Sequence, residues 1–157
     1  MTRQICLAAA VALAAATPVL SEVAPTAVVF SEGKIETSLS GQPGDPANGV
    51  KVMTTNALGN CVACHTIAAL PDVQFPGDIA PPLDGVADRW TEAELRGIVA
   101  NAKMTFEGSF MPAFYKTEGF IRPGGGYTGK APEGDLPPIL TAQQIEDVVA
   151  FLLTLKE

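Results

Sequence analysis

Cys61-Val62-Ala63-Cys64-His65 is the segment whose residue types and spacing carry the most specific chemistry in the chain. Cys-x-x-Cys-His is the attachment signature of c-type haem. Two thiols at this spacing reach the two vinyl groups of a porphyrin and form thioethers. The adjacent imidazole is then held beside the iron as its proximal ligand. Three other chemistries use similar residues. A closed structural zinc site needs four protein ligands, but the whole chain has three cysteines and one histidine, and Cys6 lies in a separate, N-terminal apolar stretch. A thioredoxin-like dithiol sits in a βαβ pattern, whereas the surroundings here read as helical and rich in Gly and Pro. A disulfide across so short a loop would contribute little. One covalent haem c on Cys61 and Cys64, with His65 on the iron, is the reading that uses every residue of the motif.

The second iron ligand follows by elimination. His65 is the only histidine, so a second imidazole cannot come from this chain. Outside the N-terminal stretch the methionines are Met53, Met104 and Met111. Met53 reads as a core residue of the first helix. Met104 ends the second helix, where burial as packing is its ordinary role. Met111 lies in the irregular run Ser109-Phe110-Met111-Pro112-Ala113-Phe114, and Pro112 favours an extended backbone before it. An extended loop crosses the distal face of a porphyrin better than a helix does, so Met111 is preferred over Met104. Sulfur opposite His favours reduced iron and raises the potential. It also fills the position, which suits electron transfer rather than ligand activation.

These residues need elements to hold them. Residues 1–21 read as an export signal. Arg3 supplies the positive region, Ile5 to Ala16 the apolar region, and Val19-Leu20-Ser21 a tolerable cleavage site, with a cut after Ala16 as the alternative. The apolar run is shorter than the ~20 residues that span a bilayer, which favours removal over a retained anchor. No second segment is long and apolar enough to span. The expected location is the periplasm. Residues 22–44 look extended, with Val28, Val29 and Phe30 favouring strand and Ser31-Glu32-Gly33-Lys34 a turn. This segment either covers the domain, pairs with a partner or forms a loose tail.

Residues 45–157 read as a mainly helical domain. Asp45-Pro46 starts a helix that runs to about Asn56. Thr91 and Glu94 form a capping box for a second helix, with Leu95, Ile98, Val99 and Ala102 on one face. Thr141 caps a third, with Ile145, Val148, Val149, Leu152 and Leu153 as its apolar stripe. Residues 117–139 form a long loop containing Gly124-Gly125-Gly126, which has no flanking strand and helix to make it a phosphate loop. The net charge of -7 excludes a nucleic-acid binder, which needs a basic face, and argues against docking on anionic lipid.

Ala80-Pro81-Pro82-Leu83-Asp84-Gly85 resembles the Gly-Pro-x-Leu-x-Gly element of small c-type cytochromes, with Ala80 in place of the first glycine. That resemblance implies that the Pro81 carbonyl accepts a hydrogen bond from His65. An ordinary Pro-rich turn is the competing reading. Arg89 and Trp90 have two readings each: haem-propionate donors, or a surface cation and a packing indole. The order of helix, attachment motif, proline loop, helix, Met-Pro loop and last helix resembles the class I cytochrome c fold across residues 45–157.

A narrower resemblance is to the SoxX family, the monohaem subunits of SoxAX cytochromes in bacterial sulfur oxidation. Gly77-Asp78-Ile79-Ala80-Pro81-Pro82-Leu83, Ala87-Asp88-Arg89-Trp90 and Ser109-Phe110-Met111-Pro112-Ala113-Phe114-Tyr115 carry it. It implies a heterodimer with a SoxA-type cytochrome. In that family a sulfur anion, typically thiosulfate, is joined oxidatively to a cysteine of the SoxYZ carrier, with release of two electrons. The catalytic haem of that L-cysteine S-thiosulfotransferase has a Cys ligand and is expected on SoxA. Without residues 1–21 this chain has no spare cysteine, so it would accept electrons and pass them to a small cytochrome c. Segments 22–44 and 117–139 are the candidate contact surfaces. The alternatives are a stand-alone periplasmic electron carrier and a peroxidase-like haem protein with an open iron position.

Overall fold

A computed structural model describes residues 21–121, 123 and 130–157. The expected export signal, residues 1–21, lies outside the described residues except for Ser21, as does the glycine run Gly124-Gly125-Gly126. Four α-helices and three 3-10 turns make up the regular structure described: α1 Pro46–Thr54, α2 Val86–Arg89, α3 Glu92–Asn101 and α4 Ala142–Leu152, with 3-10 turns at Pro25–Ala27, Cys61–Ala63 and Ala102–Met104. No helix among the described residues is long and apolar enough to cross a membrane.

The helix starts follow the sequence closely. The Asp45 side chain accepts from Ala47 N at 2.9 Å, and Pro46 occupies the first position, where its missing N–H costs nothing. Thr91 with Glu94, and Thr141 with Gln144, form complete capping boxes. Each satisfies two backbone donors that a helix start leaves open. Among the α-helices, α2 has no sequence counterpart: it is a single turn, too short for periodicity to register.

The core lies where α1 and α4 cross. Val52 and Met53 from α1 pack with Ile145, Val148, Val149 and Leu152 from α4, and all are buried. Gly49 is needed at the crossing. A Cβ there would run into the Asp147 carbonyl, a backbone atom that cannot swing aside. Asp147 is itself buried and accepts from Asp45 N (2.8 Å), Asn48 Nδ2 (2.6 Å) and Gln143 Nε2 (2.8 Å). These bonds join the start of α1 to α4 and satisfy a carboxylate that would be costly to bury alone.

Residues 22–44 do not form the strand expected at Val28 to Phe30. Only an isolated bridge, Ser31 with Lys34, closes the turn there, because no neighbouring edge offers a ladder, and Val29 is exposed. The segment nevertheless lies against the domain, with Ile35 and Leu39 buried. Ile35 N donates to Ala93 O at 3.0 Å. A buried charge cluster secures the contact. Arg96 Nε donates to Glu146 at 2.9 Å, Arg96 Nη1 donates to Ile35 O at 2.9 Å, and Leu39 N donates to Glu146 Oε1 at 2.7 Å. Glu92 adds a further partner to the guanidinium. With every atom paired, the cluster avoids the penalty of a lone buried charge.

The same segment reaches Tyr115, whose hydroxyl donates to Val23 O at 2.7 Å and lies 3.3 Å from Glu22 Oε1. Burial first, and the Glu22 carboxylate second, push the phenol from its ordinary 10.0 up to about 12. The folded state therefore holds this proton more tightly than the unfolded chain. The associated stability is fully present below pH 10.0 and is lost as pH climbs towards 12. Tyr115→Phe is expected to flatten that part of the alkaline loss in chemical unfolding measured against pH. Parallel profiles for parent and variant would contradict the assignment.

Candidate haem-binding site

The attachment motif sits on the 3-10 turn Cys61–Ala63. The turn is entered through Asn60 in the left-handed region, at φ 45°, a conformation that Asn tolerates better than most residues. Cys64 N and His65 N both donate to Cys61 O, at 3.1 and 3.0 Å. This turn spaces the two cysteines and leads directly into the histidine.

The proline loop lies beside the motif and is joined to it along its length. Gly77 N donates to Val62 O (2.8 Å), Ala80 N to Cys64 O (3.0 Å) and Leu83 N to Thr66 O (3.0 Å). Asp84 Oδ1 accepts from Ala68 N at 2.9 Å. Gly77 has to be glycine for this approach, since a Cβ would overlap the Ala63 carbonyl. Within the ladder, His65 Nδ1 lies 2.7 Å from Pro81 O. A carbonyl can only accept, so Nδ1 carries the proton and Nε2 keeps its lone pair. That is the tautomer a metal-ligating histidine needs, with its other nitrogen donating to a carbonyl. The sequence reading of Pro81 as the partner of His65 matches this geometry.

The competing chemistries fit less well. No group of three or more His, Cys, Asp or Glu among the described residues is placed to hold a metal ion, so the donors of a closed zinc site do not assemble. Cys61 and Cys64 are not joined in a disulfide. Burial pushes the Cys61 thiol up to about 11, against an opposing backbone hydrogen bond. A redox dithiol needs a depressed pKa at its attacking cysteine. No β-strand ladder flanks the motif among the described residues.

The methionines separate by environment. Met53 is buried in α1, as expected. Met104 is 49% exposed on its 3-10 turn, so its reading as buried packing is corrected: the chain leaves α3 there and turns the residue away from the core. Met111 is partly buried against the core, and its backbone is held at both ends. Its N–H donates to Ser109 Oγ at 3.2 Å, and its carbonyl accepts from Lys103 Nζ at 2.8 Å. Trp90 packs edge-to-face on Phe106, with centroids 5.7 Å apart. Arg89 donates to backbone carbonyls of the proline loop.

The Cytochrome c family model matches residues 46–156. The chain belongs to the cytochrome c family. As a member it carries one covalently bound haem c, and the helical fold around that group is the one expected from the order of its motifs. Among solved structures, a chain in the crystal structure of SoxXA from P. pantotrophus is 73% identical, with a TM-score of 0.84. The match covers 87% of this chain and 100% of that one. It bears out the resemblance to SoxX read from the proline loop and the methionine loop. A search of curated proteins finds no match.

Sequence reasoning missed the parts of this cytochrome c that hold the proline and methionine loops in place. Asp84 reads as a loop acid, and nothing in its spacing announces a bond to Ala68. Lys103 reads as a helix-end cation, eight residues from the carbonyl it meets. Asp84→Ala is expected to cost about 0.5–1.5 kcal/mol, the usual net worth of one hydrogen bond, while Asp84→Asn stays near the parent. Guanidinium unfolding of the haem-loaded chain measures both. Equal stability of Asp84→Ala and parent would show that the Ala68 bond holds nothing.

Proposed function

We propose that this chain is the electron-relay subunit of a SoxAX-type cytochrome, exported to the periplasm and paired with a SoxA-type subunit. The observation that carries the proposal is the His65–Pro81 pair in a chain so similar to one in SoxXA. Cys61 and Cys64 would hold the haem as thioethers, and His65, through Nε2, and Met111 would ligate its iron. Bound in this way, the haem supplies a one-electron couple. Pro81 fixes the imidazole tautomer and raises its basicity. Lys103 and Ser109 hold the backbone that presents Met111.

The reaction served is the oxidative joining of thiosulfate, or a similar sulfur anion, to a cysteine of the SoxYZ carrier. One S–S bond forms, the thiol proton leaves, and two electrons must be removed. The catalytic centre lies on the SoxA side. This chain takes the electrons from it and delivers them to a small cytochrome c. A site filled by His and Met suits that division, because it leaves no open position for chemistry of its own.

Phe120 and Ile121 in the 117–139 loop are exposed, as are Phe75, Ile79 and Phe110 on the loops around the ligand residues. They supply apolar area for the partner. Segment 22–44 spends much of its apolar surface on its own domain, which makes the 117–139 loop the better contact candidate.

Met111→Ala is expected to open the iron position. Carbon monoxide should bind the reduced variant readily and the reduced parent hardly at all, as read from the optical spectrum. Met104→Ala should behave as the parent. If Met111→Ala also resists carbon monoxide, Met111 is not the ligand. If the parent binds it freely, the site is open, and the peroxidase-like reading gains.

A further inference from the structure

Arg89 ends the single turn of α2 and reaches back over it to the loop it follows. Its Nη1 donates to Asp84 O at 2.8 Å, and its Nη2 lies 3.4 Å from Pro82 O. These two carbonyls come one and three residues after Pro81, the partner of His65. Asp84 is at the same time fastened to Ala68 through its side chain. One guanidinium therefore holds the carbonyls on either side of Leu83, whose own N–H is bonded to Thr66 O.

The fork of a guanidinium suits two carbonyls on one short loop, since its donors are planar and fixed relative to each other. We infer that Arg89 is a positioning residue for the proximal ligand: it clamps the Pro82–Asp84 backbone and so holds the Pro81 carbonyl on His65 Nδ1. This inference rests on the reading of His65 as the iron ligand. It departs from a propionate role for Arg89, which would use the same charge and leave the loop alone.

The two roles differ in what they do to the iron. Weakening the Nδ1–H donation makes the imidazole a poorer electron donor, which raises the reduction potential. Removing a cation from the neighbourhood of the iron stabilises the oxidised state, which lowers the potential. Exchange of the Nδ1 proton with solvent reports loop opening directly and does not depend on the charge at position 89.

The test compares the haem-loaded parent with Arg89→Met and Arg89→Lys. The exchange rate of the iron-shifted His65 ring proton is measured by NMR, and the potential by redox titration. Arg89→Met is expected to exchange roughly fivefold faster or more, the factor that corresponds to losing about one net hydrogen bond. Arg89→Lys, with its charge kept and its fork lost, should fall between the two in exchange and show a raised potential. Unchanged exchange in Arg89→Met overturns the inference, and unchanged exchange with a lowered potential assigns Arg89 to charge compensation instead. A parent without an iron-shifted His65 ring proton contradicts the ligand assignment itself, and the inference falls with it.

Discussion

The hydrogen bond between His65 Nδ1 and the Pro81 carbonyl, 2.7 Å long, is the constraint around which the proximal half of this protein is arranged. A histidine that follows two anchored cysteines is already confined in space, but its ring can still turn and can still exchange tautomers. A fixed carbonyl removes both freedoms. A carbonyl is fixed only if its loop is, and a loop rich in Pro and Gly has no internal ladder of its own. The chain meets this need by bonding the loop to the attachment segment at Gly77, Ala80, Leu83 and Asp84. It then returns through α2, whose C-terminal residue holds the loop from behind.

The stretch that carries Met111 is built on a similar plan with different parts. Met111 is carried by a stretch without regular structure, so its position depends on side chains reaching its backbone from Lys103 and Ser109. Downstream, Tyr115 N donates to Ala100 O at 3.0 Å, and its hydroxyl is tied to the N-terminal segment. That segment is itself fixed by the Arg96–Glu146 pair. The buried charges thus have a structural consequence at a distance: they hold the strap that steadies the end of the methionine loop.

The sequence exposed the helices and the attachment motif for physical reasons. Capping boxes and apolar stripes are local signals, written within four residues of each other, and they placed α1, α3 and α4 within a few residues. The attachment motif is local too. Pro81 was legible because its role depends on a backbone carbonyl at a recognisable offset from Leu83 and Gly85. What stayed hidden involves pairs distant in the chain. Arg96 and Glu146 are fifty positions apart, and each reads alone as a solvated charge. Val28 to Phe30 had strand propensity but no edge to pair with, and β propensity without a partner does not make a strand. Met104 read as core because it ends an amphipathic helix, yet the chain tightens into a 3-10 turn there and leaves it 49% exposed.

The central claim is that one haem on this chain relays electrons beside a second cytochrome. Native mass spectrometry of the complex, purified gently through this chain from sulfur-oxidising cells, tests it most directly. The account predicts this chain without its export signal, carrying one covalent haem, in equal amount with a second c-type subunit. A haem-loaded chain that is always alone would contradict the account and favour an independent electron carrier.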